Sequence, residues 1–157
     1  MNLINSATKV YEEDVVEIEN GLGIKFPEDY KAFIIQTNGG IPEEDMLYDF
    51  YDEVSELENT SIIRKFFSLY VDDTILKNNL KVIYTTMRNE ETIPADMLPI
   101  ADDPTGNIIS LSLNKEDYGF IYYLNHEFED VDTGYLVKSK IANSFKEFIN
   151  CLYTDES

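Results

Sequence analysis

The chain's one histidine, His126, stands in an acidic run with Glu127, Glu129, Asp130 and Asp132, residue types that can ligate metal ions. The composition of the run argues against that chemistry. Zinc sites usually take more nitrogen or sulfur ligands than a single imidazole provides. Calcium loops set oxygen ligands at fixed intervals around a central glycine, and Asp130-Val131-Asp132-Thr133-Gly134 does not complete that pattern. The run reads as an acidic hairpin connection, and neither a metal nor a cofactor is expected. Cys151 and His126 would need to meet to form a nucleophile and its base. Cys151, however, falls on the apolar face of the predicted closing helix, where a small buried hydrophobe is expected. Carboxylates are so abundant that no pair of them singles itself out for acid–base work. Asp102-Asp103-Pro104-Thr105-Gly106-Asn107 puts two acids ahead of its glycine, which is wrong for a phosphate cradle of uncompensated N–H groups. It reads as a β-turn. No catalytic residue is assigned, and an enzyme is not expected.

Charge is more informative. Thirty-one acids against twelve bases leave a net charge of −19. Binding to nucleic acid or to an anionic membrane requires a basic face, so neither partner is expected. With 43% apolar residues, eleven Tyr and nine Phe, the chain nevertheless has the material for a core. A folded protein with a strongly negative surface attracts basic partners from a distance. From Glu43 to Glu58 there are eight acids and no Lys or Arg, with Tyr48, Phe50 and Tyr51 interleaved. Glu43, Glu44, Asp45, Tyr48, Asp49, Tyr51, Asp52 and Glu53 are therefore one candidate contact surface for a basic protein. Glu127, Glu129, Asp130 and Asp132 are a second. Strand alternation leaves another possibility open, in which the aromatics are core and the acids merely solvated.

The elements that must position these residues follow from periodicity. Val15, Val16, Ile18 and Leu22 recur at helical spacing, and Gly21 and Gly23 can end that helix. Pro27 fits the first turn of a second helix, with Glu28 and Asp29 at its positive end. Tyr30, Phe33 and Ile34 form its apolar face, and Asn38-Gly39-Gly40 stops it. Strands are predicted over Met46 to Tyr51, Ile62 to Tyr70, Leu98 to Ala101, Ile108 to Leu113, Gly119 to Leu124 and Tyr135 to Lys138. Asp73 opens a predicted third helix reaching about Arg88, with Ile75, Leu76, Leu80, Ile83 and Tyr84 as its buried stripe. Ser144-Phe145-Lys146-Glu147 opens the last helix, which buries Phe145, Phe148, Ile149 and Leu152. Thr154 to Ser157 should fray. The pattern is α+β: one domain, core about residues 10–153, with a mostly antiparallel sheet, two N-terminal helices, one intervening helix and a C-terminal helix. Met1 to Val10 lacks a signal-peptide core, no segment approaches a membrane span, and a single cysteine fits a reducing compartment. A cytoplasmic protein is expected.

The stretch from Ile18 to Gly40 resembles the helix–turn–helix opening of the SUKH superfamily. That superfamily includes the SMI/KNR-type fungal cell-wall assembly regulators and bacterial proteins that protect a cell against polymorphic toxins. Three later blocks resemble it in order. Leu98 to Asn107 is similar to its "FADDGGGN" strand and turn, Gly119 to Glu127 to its "GKVYYWDHE" strand, and Ile141 to Phe148 to its "IADSFEEFL" helix. Ile100 stands where the superfamily has Phe, and Leu124 and Asn125 where Trp and Asp are common. The resemblance implies a non-catalytic, toxin-neutralising protein whose partner is a cognate toxin, with a regulatory or scaffold role of the fungal kind as the alternative.

Overall fold

The computed structural model describes residues 1–72 and 74–155. A short strand β1 (Leu3–Ile4) leads into α1 (Glu12–Leu22) and α2 (Glu28–Gln36). Gly23 ends α1 in the left-handed region at φ 70°, and Pro27 sits just before α2. Gly23 is where the sequence puts it, while Pro27 takes the cap position one residue ahead of the first turn, with extended ψ. Val15 and Ile18 are buried, while Val16 is exposed.

Asn38-Gly39-Gly40 does more than stop α2. The buried Asn38 side chain donates to the carbonyls of Thr8 and Leu69 and accepts from the N–H of Leu69. At Gly39, with φ 70°, a Cβ would lie 2.3 Å from Ser68 Oγ and 2.7 Å from the Phe67 carbonyl. No other residue fits there without displacing the chain.

β2 (Ile41–Pro42) pairs with β1, and β3 (Leu47–Asp52) forms an antiparallel hairpin with β4 (Leu57–Ile62). The main sheet has five antiparallel strands in sequence order. They are β5 (Lys65–Phe66), β6 (Met97–Asp102), β7 (Ile108–Ser112), β8 (Ile121–Glu129) and β9 (Leu136–Ala142). Pro99 lies inside β6 beside a register shift and beyond the reach of β5, so its missing N–H breaks no regular ladder. Helix α3 (Leu80–Asn89) joins β5 to β6, and α4 (Phe145–Cys151) closes the fold. The architecture is α+β, as the sequence indicates.

Aromatic rings join the elements across the core. Phe145 of α4 packs against Tyr30 and Phe33 of α2, at centroid distances of 5.1 and 4.8 Å. Phe148 meets Tyr48 of β3 edge-on at 5.6 Å, and Phe50 stacks on Tyr123 of β8 at 4.3 Å. The hairpin β3–β4 is thus bolted to the main sheet and to α4 by one face.

Several expectations are corrected. The predicted strand Ile62 to Tyr70 divides: Ile62 ends β4, and only Lys65 and Phe66 form β5. The third helix begins at Leu80, capped by Asn79 accepting from the Lys81 N–H. Ile75 and Leu76 are exposed and outside it; Asn78 at φ 58° interrupts the chain just before the cap. The proposed cap Asp73, like Glu156 and Ser157, lies outside the described residues. Cys151 is exposed, because α4 ends there and the chain turns so that Tyr153 exchanges both backbone bonds with Leu47.

Candidate partner-binding surface

Side chains along β3 alternate between two environments. Tyr48, Phe50 and Asp52 point inward and are buried, whereas Asp49 and Tyr51 point outward and are exposed. The period of two therefore settles the aromatics individually. Tyr48 is fully buried in the core and presents nothing to a partner. Asp52 is 6% exposed. It accepts from the Val54 N–H at 2.9 Å and from Asn59 Nδ2 at 3.3 Å, so it organises the hairpin turn. Both are corrected from contact residues to structural ones.

The outward face carries Asp49 and Tyr51 from β3, opposite Thr60 and Glu58 of β4. Asp49 accepts from the hydroxyls of Tyr153, at 2.6 Å, and Thr60, at 2.7 Å. Those two hydrogen bonds hold its carboxyl below the usual carboxylate range. Glu58 and Tyr153 belong to this face and were not among the expected contact residues. Pairing of β4 with β3 brings in the first, and the return of the chain after α4 brings in the second. Glu53 is exposed in the turn, with its N–H fixed by Ser139 Oγ of β9.

Glu43, Glu44 and Asp45 are exposed on the β2–β3 connection, where the Glu43 N–H donates to the Asn2 carbonyl. They stand at the opposite end of β3 from Glu53, roughly 20 Å away for a strand of this length. Glu127, Glu129, Asp130 and Asp132 are all exposed, on the distal half of β8 and the turn into β9. Asp130 Oδ1 accepts from the N–H groups of Asp132 and Thr133, so this acid also builds its own turn. Beside these acids Phe128 is 48% and Val131 is 98% exposed, apolar groups that the charge pattern concealed.

The two expected surfaces converge at one place. Glu53 and Asp130 line the same cleft of about 350 Å³, whose lining includes apolar Ile93, Leu124 and Leu136 and the cation Lys138. The acids at Glu43 to Asp45 do not reach it. No Lys or Arg occurs between Lys31 and Arg64, so the hairpin supplies no cation of its own.

The turn Asp102-Asp103-Pro104-Thr105-Gly106-Asn107 is structural. Asp103 is buried, and its Oδ1 accepts from the Thr105 and Asn107 N–H groups. Its Oδ2 accepts from Ser61 Oγ and Asn107 Nδ2, tying β4 to the main sheet. Asp102 pairs with Arg64 in a two-pronged contact; burial nonetheless raises its pKa, against the pull of the guanidinium. A further buried acid that the sequence does not single out is Glu19, which accepts from the Phe26 N–H at 2.7 Å and lies 3.6 Å from Lys31 Nζ. Among the described residues no group of three or more His, Cys, Asp or Glu is arranged to hold a metal ion. No helix among them is long and apolar enough to cross a membrane.

The chain is similar to the SPbeta prophage-derived uncharacterized protein YokK of Bacillus subtilis (strain 168). The two are 28% identical over 149 residues, covering 87% of this chain and 71% of the relative. The SMI1 / KNR4 family (SUKH-1) matches residues 9–151, nearly the whole of the fold described above. The chain belongs to that family.

Proposed function

We propose that this protein is a cytoplasmic, non-catalytic immunity protein that binds a cognate basic toxin domain and blocks its active site or substrate groove. One observation carries the reading: a hairpin bound into the core by Tyr48 and Phe50 presents Asp49, Tyr51, Glu53 and Glu58 to solvent, with no Lys or Arg on either strand of the hairpin itself. Toxins that act on nucleic acids have basic grooves, and a fixed acidic face imitates the charge of a polyanionic substrate. Steering between opposite charges raises association rates by about 10- to 1000-fold at low salt. Affinity then comes from a few buried anchors, and Tyr51 is of the favoured type. A relative described as prophage-derived suits a gene that travels with systems of conflict between cells.

The test begins by capturing partners from cells that encode the chain and then expressing each captured domain alone. A basic domain should be recovered, should arrest growth alone, and should fail to do so when this protein is co-expressed. Changing Asp49, Glu53 and Glu58 together to Ser should slow association and flatten its salt dependence. Recovery only of several harmless cellular proteins would instead support a regulatory scaffold.

A further inference from the structure

We propose that the outer edge of β4 is a strand-addition site that takes an extended, lysine- or arginine-bearing segment of the basic partner as a third strand of the hairpin sheet. The inference rests on the basic-partner reading above and names how such a partner docks.

The argument is one of hydrogen-bond parity. Leu47 exchanges both of its backbone bonds with Tyr153, so it faces away from β4. In an antiparallel pair such residues alternate with those that bond the partner strand. Tyr48, Phe50 and Asp52 therefore bond Ser61, Asn59 and Leu57, their register partners. Glu58, Thr60 and Ile62 must send their N–H and C=O groups the other way, off the hairpin. The Thr60 N–H bears this out, since it is met only by the neighbouring Asn59 Oδ1 at 2.8 Å. Among the described residues no other strand lies on that side, and Leu57 to Thr60 are exposed throughout.

Edges of this kind are usually blunted by proline, lysine or a bulge. β4 has none of these, and its pairing with β3 runs without a register shift. Its charge selects the occupant. Glu58 lies on β4 itself, and Asp49 and Glu56 flank it. A second copy of this chain, also at −19, would bring the same acids face to face. A cationic strand would instead place its charges opposite Glu58 on the outward face, a favourable cross-strand pairing.

The probe is a short capped peptide alternating lysine with valine and threonine, with an analogue N-methylated at the residues that would bond the edge. Hydrogen exchange followed by NMR should slow at least about tenfold at the Glu58 and Ile62 amides when the parent peptide saturates, as for amides newly enclosed in a ladder. The N-methylated analogue should produce no such protection. Thr60→Pro removes one outward N–H without touching the backbone bonds to β3, and should abolish binding. Thr60→Val, which like it loses the hydroxyl bond to Asp49 but keeps the N–H, should still bind. If Thr60→Pro lowers Tm too far, the analogue reads the same contact on the unaltered protein. Failure of the peptide to bind overturns the proposal, as does equal binding of parent and analogue. Protection that grows with protein concentration in the absence of peptide overturns it in favour of a second copy. If parent and analogue bind equally and Asp49→Ser with Glu58→Ser releases both, the edge falls and the charge reading stands. If those replacements leave protected binding unchanged, the edge stands and the charge reading falls.

Discussion

Asp103→Ala would test the joint that holds the candidate surface on the sheet. The carboxylate accepts five hydrogen bonds: from the N–H and hydroxyl of Thr105, the N–H and side-chain amide of Asn107, and the hydroxyl of Ser61. They are not equally hard to replace. Thr105 is exposed and Ser61 half-buried, so water can reach both after the substitution. The Asn107 amide keeps the Thr105 hydroxyl at 2.9 Å. The Asn107 N–H is the group left stranded, on a residue 7% exposed. A buried donor without a partner costs about 1–3 kcal/mol, and the lost hydrogen bonds to a charged acceptor add to it. The expected loss is about 2–4 kcal/mol.

Asp103→Asn separates charge from shape. Its carbonyl oxygen can still take both backbone N–H groups, and Ser61 can turn to accept from the new amide. Only the contact with Asn107 Nδ2 becomes donor against donor, so about 1–2 kcal/mol is expected from one broken bond. Urea titration with a common m-value gives both numbers. If Ala and Asn are equally destabilising, or if Ala costs less than about 1 kcal/mol, the stranded-donor account is wrong.

Gly39→Ala should destabilise by about 3–5 kcal/mol, from a left-handed Ala and an overpacked joint against Ser68 and Phe67. Gly21→Ala, in α1 with nothing within 4 Å, should stabilise by about 0.5–1 kcal/mol; thermal melts of the two give opposite shifts. Burial pushes the Asp117 carboxyl up, but hydrogen bonds from the Ser112 and Tyr122 hydroxyls outweigh it and hold it below the usual range. A depressed folded pKa stabilises above the unfolded value, so the advantage over Asp117→Asn should be full at neutral pH and shrink as pH falls below about 4; pH-resolved urea midpoints would show a constant difference if this is wrong. Cys151 should react with a thiol reagent at the same rate with and without denaturant, and protection in the native state would contradict its exposure.

How far the sequence reveals this fold depends on how strongly each element is punctuated. Helices α1 and α2 are legible because apolar period, Gly23 and Pro27 agree. The turn between β6 and β7 is equally plain from Pro104 and Gly106. β4 is nearly invisible. Leu57-Glu58-Asn59-Thr60-Ser61-Ile62 has little strand propensity, and its turn places Glu56, not a glycine, at φ 58°. Missing β4 meant missing Glu58 and the free edge. The end of α3 nearest Asp73 misled because Ile75 and Leu76 keep helical spacing while remaining exposed. Within the candidate surface, alternation was enough to exclude Tyr48 and Asp52 once β3 was placed, because both fall on the phase of Phe50. Glu19 carried no such mark, since nothing in a helix of acids shows which one caps a neighbouring loop.

Both ends of the described chain arrive at the same acidic corner. The Glu43 N–H bonds the Asn2 carbonyl, Leu47 is joined to Tyr153, and Asp155 shares a surface depression with Glu43, Glu44 and Asp45. Any polypeptide fused at the amino end therefore emerges beside these acids, and an addition beyond Asp155 starts close to them. A lysine-rich tag there would act as a tethered counter-ion, held beside the corner at an effective concentration on the order of millimolar even when the protein itself is dilute. Binding work on this protein calls for untagged material or an internal label, because a lysine-rich tag placed there would mimic the basic partner it is meant to find.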